Sequence, residues 1–217
     1  VTSTSTVSIF NRYALDYDYW YRKHEMVAEA EVKTVSMTKP QGFGMEVGVG
    51  SGFFASKVNI QMGLEPALGM AELARDRGVM VVAGIGESMP IRDHSLDYVV
   101  IIVTICFLDD PKKTLREVHR VLKPGGRLIT CIVPRESSHG RFYMELGRRG
   151  HRFYSTAHFY TVKELVGMLR EVGFVIDEEV IATLSRGVGD YYEEPKTVSL
   201  GEAEDYGFVC VTATRRN

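Results

Sequence analysis

Hydrophobic and polar positions alternate along this chain in two different rhythms. Residues 9–38 carry a helical pattern, with Tyr13, Tyr17, Trp20 and Tyr21 on one stripe at i, i+4, i+7 and i+8 spacing. Short apolar runs then recur at 45–49, 60–64, 79–83, 96–103 and 127–133, each sized for a buried strand. Helical patterns fill the gaps: a short one over 52–58, one over 67–77 closed by Gly78, and one opened by Pro111 that ends before Lys123-Pro-Gly-Gly126. Thr161-Val-Lys-Glu164 is a capping box opening another helix, which Gly173 ends. The runs 174–184 and 208–214 read as two last strands with no helical pattern between them. Strands alternating with helices imply a mostly parallel sheet with right-handed crossovers. The missing final helix implies an antiparallel partner at the sheet edge. Residues 1–8, Val-Thr-Ser-Thr-Ser-Thr-Val-Ser, read as a frayed, disordered tail.

Candidate chemistry gathers where the strands end. The first strand runs into Glu46-Val-Gly-Val-Gly-Ser-Gly52, an acid followed by glycines at 48, 50 and 52. Glycine permits a sharp turn and close approach of a ligand to the backbone. The acid suits a ligand with a positively charged end. A dinucleotide fingerprint needs Gly-x-Gly-x-x-Gly, and counting from Gly48 its third glycine falls on Phe53. The nicotinamide reading therefore fails. Glu65, in Gly-Leu-Glu-Pro, lies 19 residues after Glu46 at the end of the second strand, where an acid typically holds ribose hydroxyls. Gly86-Glu87-Ser88-Met89-Pro90 follows the third strand. Asp93-His-Ser-Leu-Asp-Tyr98 leads into the fourth, and Leu115-Arg-Glu-Val-His-Arg-Val-Leu-Lys-Pro-Gly-Gly126 precedes the fifth.

This series resembles the class I S-adenosylmethionine-dependent methyltransferases, and among them the type 11 group of small-molecule enzymes. The resemblance is close over residues 43–133 and looser in the order of elements beyond. It implies an α/β fold: a Rossmann-like, seven-stranded, mostly parallel sheet with helices on both faces and an antiparallel strand at the C-terminal edge. It implies S-adenosylmethionine as cofactor. Glu46 and the turn Gly48, Val49, Gly50, Ser51 and Gly52 would hold its methionine part. Glu65 would hold the ribose hydroxyls, Gly86 and Glu87 would lie against the adenine, and Pro66, Met70 and Ser88 would also contact the cofactor. Thr104, Ile105 and Phe107 would wall the site near the sulfur. The implied reaction is methyl transfer to a small molecule by in-line displacement, at an N, O or C atom left open.

Bulk properties narrow the reading. A chain of 217 residues with 45% hydrophobic content fits one domain with a sizeable core. A net charge of −2 argues against a nucleic-acid surface. No apolar run reaches the ~18 residues of a membrane span, and the N-terminus has no signal-peptide pattern, so a cytoplasmic monomer or homodimer is expected. Cys106, Cys131 and Cys210 lie far apart in apolar runs and read as buried free thiols. No metal site is expected.

Two variable segments are expected to build the acceptor site. One is the 9–38 lid helix, which carries Tyr17-Asp-Tyr-Trp20, similar to a Tyr-Asp-x-Trp motif of type 11 enzymes. The other is 135–160, rich in aromatic residues and histidines and basic as well, with five arginines and two glutamates from Arg135 to Arg152. Tyr13, Tyr17, Trp20, Cys106, Tyr143 and Tyr154 are the acceptor-site candidates. His139, Tyr143, His151 and His158 are the candidates for moving a proton near neutral pH. The aromatic rings favour a planar or apolar acceptor and would also suit a cationic amine, the arginines favour an acidic one, and the sequence leaves that conflict open. Two other readings stand beside the main one. An aminopropyl-type transferase on the same fold would use Asp109 and Asp110, which fit a helix start equally well. A non-catalytic cofactor-binding subunit would keep the glycine turn but lack a formed acceptor pocket. The acidic stretch 190–205 reads as a solvated loop.

Overall fold

The computed structural model describes residues 4–216. Five parallel strands, β1 (Gly44–Val47), β2 (Met62–Leu64), β3 (Met80–Val82), β4 (Leu96–Ile102) and β5 (Leu122–Ile132), lie in the order β3-β2-β1-β4-β5. The sheet continues through β9 (Phe208–Arg215), antiparallel to β5, and then β7 (Glu179–Thr183) and β8 (Lys196–Ser199); β6 (Phe174–Ile176) also pairs with β9. The antiparallel part thus lies at the C-terminal side of the sheet, as the helix-free end of the chain implies.

Alternation along β4 shows why both faces need helices. Val99 and Ile101 pack into one core with Leu115, Val118 and Val121 of α6 (Pro111–Val121) and Leu165 and Leu169 of α8 (Val162–Val172). Tyr98, Val100 and Ile102 pack into the other with Val27, Ala30 and Val35 of α3 (Glu25–Met37) and Phe54 and Ala55 of α4 (Phe53–Val58). Side chains two apart on a strand share a face, so one apolar strand feeds two layers. α8 carries the expected capping box: Thr161 Oγ1 accepts from the Glu164 backbone N–H at 3.0 Å, and Glu164 accepts from the Thr161 N–H at 2.8 Å.

Four expectations are corrected. The seven strands become nine. The run 174–184 breaks at 177–178 into β6 and β7, and β8 forms inside the stretch read as a solvated loop, pairing with β7. The single helix over 9–38 is three: α1 (Thr4–Arg12), α2 (Ala14–Lys23) and α3, interrupted at Tyr13 and His24, whose backbones leave helical geometry. The tail read at 1–8 is helical from Thr4, and residues 1–3 lie outside the described residues. Docking orders that start: Val7 and Phe10 pack beside Met70, and Asn11 Oδ1 accepts from the Gly69 N–H at 2.7 Å, capping α5 (Leu68–Asp76). Finally, Cys131 and Cys210 are not free. They face each other across β5 and β9 and form a disulfide, and only Cys106 is a free thiol. Strand register brings together two residues that are 79 positions apart, which spacing alone does not show.

Candidate functional site

The carboxyl ends of β1, β2 and β4 open into a cleft of about 850 Å³. Its floor is the turn after β1. Gly48, Gly50 and Gly52 all have positive φ (69°, 54° and 76°), a region costly for residues with a Cβ. A Cβ on Gly48 would overlap the Thr104 side chain, and one on Gly52 would come within 2.9 Å of Ala74 Cα in α5. The Gly48 and Val49 N–H groups both donate to the Leu64 carbonyl, at 2.8 and 3.1 Å, so the turn is stitched to β2.

Glu65 reaches back across that stitch. Its Oε2 accepts from the Gly50 N–H at 2.9 Å and its Oε1 from the Ala67 N–H at 2.8 Å. A carboxylate oxygen has lone pairs to spare after one bond, so both remain usable by a ligand. Behind the turn, Arg77 donates to the Ser51 carbonyl at 2.6 Å and to the buried Asp18 of α2 at 2.8 Å. The acid of the Tyr17-Asp-Tyr-Trp20 motif therefore fastens the lid to the glycine turn. Across the cleft, Glu87 Oε1 accepts from the Asp109 and Asp110 N–H groups at 3.2 and 3.3 Å, tying the β3–β4 loop to the loop before α6.

The electrostatics are one-sided. Glu46, Glu65 and Glu87 line the cleft, all of them buried, and among the described residues no Lys, Arg or His does. Burial, then the neighbouring Glu65, raises the Glu46 carboxyl well above the ordinary range. Burial pushes Glu65 up to about 7 in spite of its two backbone donors. Glu46 Oε2 and Glu87 Oε2 are buried with no hydrogen-bond partner among the described residues. Such a cleft repels a pyrophosphate and suits a ligand carrying positive charge and hydroxyl donors.

Twelve of the cofactor candidates line this cleft: Glu46, Gly48, Val49, Gly50, Ser51, Glu65, Pro66, Met70, Gly86, Glu87, Thr104 and Phe107. Three do not. Gly52 caps α4 and packs on α5. Ser88 is exposed, beside its bridge to Ile85. Ile105 is fully buried in the α6–α8 core. Thr6, Val7 and Phe10 of α1 also line the cleft; reading 1–8 as a tail hid Thr6 and Val7, while Phe10 fell inside the 9–38 helical segment but was not singled out. The signal was present: Val7, Phe10 and Ala14 extend the apolar stripe of α2 towards the N-terminus.

A second chamber of about 2050 Å³ adjoins the first, and Tyr17, Tyr21, Phe54, Val103 and Phe107 line both. It lies between α2, α3 and α7 (Ser138–Arg148) with the 3₁₀ turn Tyr154–Thr156. Tyr17, Trp20, Cys106, His139, Tyr143, His151 and Tyr154 line it. Tyr13 does not: the helix break puts its ring under the Arg152 guanidinium, 4.2 Å away. His158 does not either. Its N–H donates to the Cys106 carbonyl at 2.7 Å and its ring packs on Tyr160. Burial lowers the pKa of His139 and His151, and each keeps one buried ring nitrogen without a partner. Burial pushes the Cys106 thiol up to about 12, so it is no nucleophile. Asp109 and Asp110 line neither cavity; Asp110 caps α6 by accepting from the Lys113 N–H at 2.8 Å. The aminopropyl-transferase reading therefore finds neither of its two acids in a cavity. No cluster of three metal-ligating side chains occurs among the described residues.

Comparison with known proteins agrees with this geometry. Residues 45–130 match the family model described as a methyltransferase domain. An uncharacterized protein of Methanocaldococcus jannaschii is 37% identical over 168 residues, covering 77% of this chain and 82% of that one. An uncharacterized protein of Mycobacterium tuberculosis is 32% identical over 216 residues, covering 95% and 73%. Among solved structures, a Thermotoga maritima S-adenosylmethionine-dependent methyltransferase, described as a "possible histamine N-methyltransferase", superposes with a TM-score of 0.90 at 37% identity, covering 97% of this chain and all of that one. The chain belongs to the class I methyltransferases of the type 11 group, and is an S-adenosylmethionine-dependent methyltransferase. No helix among the described residues is long and apolar enough to cross a membrane.

Proposed function

We propose that the cleft beside the glycine turn holds S-adenosylmethionine and that the adjoining chamber holds a small-molecule methyl acceptor. The observation that carries this reading is the one-sided lining of the cleft: three buried carboxyl groups and, among the described residues, no basic side chain. When bound, the cofactor supplies a methyl group on a positively charged sulfur that leaves as a neutral thioether. Glu46, its Oε2 unpartnered, sits where a cation would lower its burial cost. Glu65, already fixed by Gly50 and Ala67, offers an acceptor on each oxygen to a pair of vicinal hydroxyls. The second glutamate oxygen of Glu87 is free for a further donor.

The protein's contribution is alignment and exclusion of water, which intramolecular models value at up to ~7–11 kcal/mol. Phe10 contacts both Tyr17 and Phe107 edge-to-face, with ring centroids 5.1 and 5.0 Å apart, and the three rings close the cleft where it meets the chamber. The test is transfer of a labelled methyl group from S-adenosylmethionine to a panel of small amines, phenols and carboxylates. Wild type should label at least one class, and Glu65→Ala should cut the rate about 100-fold, through weaker cofactor binding. No transfer to any class, with cofactor bound, would favour the reading of a non-catalytic cofactor-binding subunit.

A further inference from the structure

Glu31 is the one carboxylic acid deep in the acceptor chamber, and it was not among the sequence candidates. It lies on α3 one turn after Val27, which lines the same chamber. It is 7% exposed. It takes part in no hydrogen bond or ion pair among the described residues, in contrast to Glu65 and Asp18. The basic residues near the chamber do not serve it: Arg152 is bound to Asp16 at the rim at 2.8 Å. Arg135, Arg148 and Arg149 pair with Glu136 and Glu164 or with Glu145, and none lines the chamber. Of the five arginines of 135–152, only Arg152 lines the chamber, and it is held at the rim by Asp16, so the sequence hint of an acidic acceptor weakens.

What surrounds Glu31 is aromatic. Tyr17, Trp20, Tyr21, Tyr143, Phe153 and Tyr154 give the chamber several ring faces, which attract a cation that has left water. A buried carboxylate with no cation of its own costs several kcal/mol to ionise, and a cationic ligand removes that cost. Resting on the cofactor reading above, we infer that Glu31 binds the ammonium group of a small aryl- or alkylamine acceptor, placing the nitrogen at the mouth shared with the cofactor cleft. Before it can be methylated, such an ammonium must lose one proton to free its lone pair. Glu31 takes that proton, so that the ammonium and carboxylate become a neutral amine and a neutral acid.

The titratable groups facing Glu31 leave it that role. Tyr17 and Tyr21 of α2, Tyr143 of α7 and Tyr154 are all held above the ordinary phenol range by burial, so they stay protonated. His24, His139 and His151 are lowered, chiefly by burial, and are neutral at pH 7.5. Lys23 and Asp190 also line the chamber, and Asp190 accepts from the Val27 N–H at 3.2 Å. Burial pushes Glu31 itself up to about 8, so near pH 7 the empty site holds its proton and binding an ammonium expels it.

The test is calorimetric titration of phenethylamine, 2-phenylethanol and 3-phenylpropionate into protein saturated with S-adenosylhomocysteine, in two buffers of different ionisation enthalpy at pH 7. Phenethylamine should bind at least tenfold more tightly than the other two and release close to one proton. Glu31→Gln should bind it at least tenfold more weakly with no proton release. Equal affinity of wild type and Glu31→Gln, or tighter binding of phenylpropionate, would overturn the inference. Proton release by the wild type needs no variant, so the inference stays testable if Glu31→Gln does not fold, and binding without proton release would overturn it. Failure of S-adenosylhomocysteine itself to bind would instead count against the cofactor reading.

Discussion

Glu31, Glu46 and Glu65 share one circumstance: each carboxyl is taken out of water with no cation beside it. An acid whose folded pKa lies above its unfolded value, here near 4.5, holds a proton that the unfolded chain has already lost. Stability from such a group is full at low pH and falls as pH rises from about 4.5 through 7 for Glu65 and 8 for Glu31. The ligand-free protein should therefore melt at a lower temperature at pH 8 than at pH 5. Glu31→Gln should flatten that decline, its Tm advantage over wild type growing across the range; melting curves that stay parallel would contradict the burial of an unpaired acid. The cysteines give a second check at this scale. Thiol titration of the unfolded, unreduced protein should find one thiol, Cys106, and the native protein at pH 8 should show none.

Among the elements, α2 does more than cover the cleft. Asp18 holds Arg77, and Arg77 holds the Ser51 carbonyl, so α2 and the glycine turn are joined through one side chain. Asp18→Asn should weaken cofactor binding about tenfold, a loss near 1.4 kcal/mol, while Arg22→Ala, whose contact with Asp18 is exposed and long at 3.8 Å, should change nothing measurable. Equal effects in a titration would show that the lid is not coupled to the turn. At α8, Thr161→Ala removes the capping box and should cost about 1 kcal/mol in chemical denaturation. Elements bounded by local chemistry were legible in sequence: the Thr161 cap, the Gly173 stop, the Pro111 start and the glycine turn. Elements set by partners were not. α1 is ordered by docking on α5, β8 by pairing with β7, and the break after β6 by a shift along β9. Glu31 was equally hidden. An acid among Val27, Ala30 and Val35 is a visible irregularity on an apolar helix face, but its meaning depends on α7 and the Tyr154 turn, distant in sequence, closing the chamber.

For the whole molecule, the parallel strands point their carboxyl ends at one region, and the chain uses it twice. The anionic cleft sits over β1, β2 and β4, and the aromatic chamber lies beside it under the N-terminal helices. Sequence motifs located the first closely because its residues lie within a few positions of strand ends. They located the second only in outline, because its walls come from three separated segments. The proposed use of both cavities rests on one event, the binding of a positively charged, hydroxyl-bearing cofactor at Glu46 and Glu65. Calorimetric titration with S-adenosylmethionine, and separately with NAD, reports on that event directly. Micromolar binding of S-adenosylmethionine, weakened about 100-fold in a folded Glu65→Ala variant, with no heat from NAD, is the expected result. Absence of S-adenosylmethionine binding by the wild type, or tighter binding of NAD, would contradict the assignment of the cleft and everything built on it.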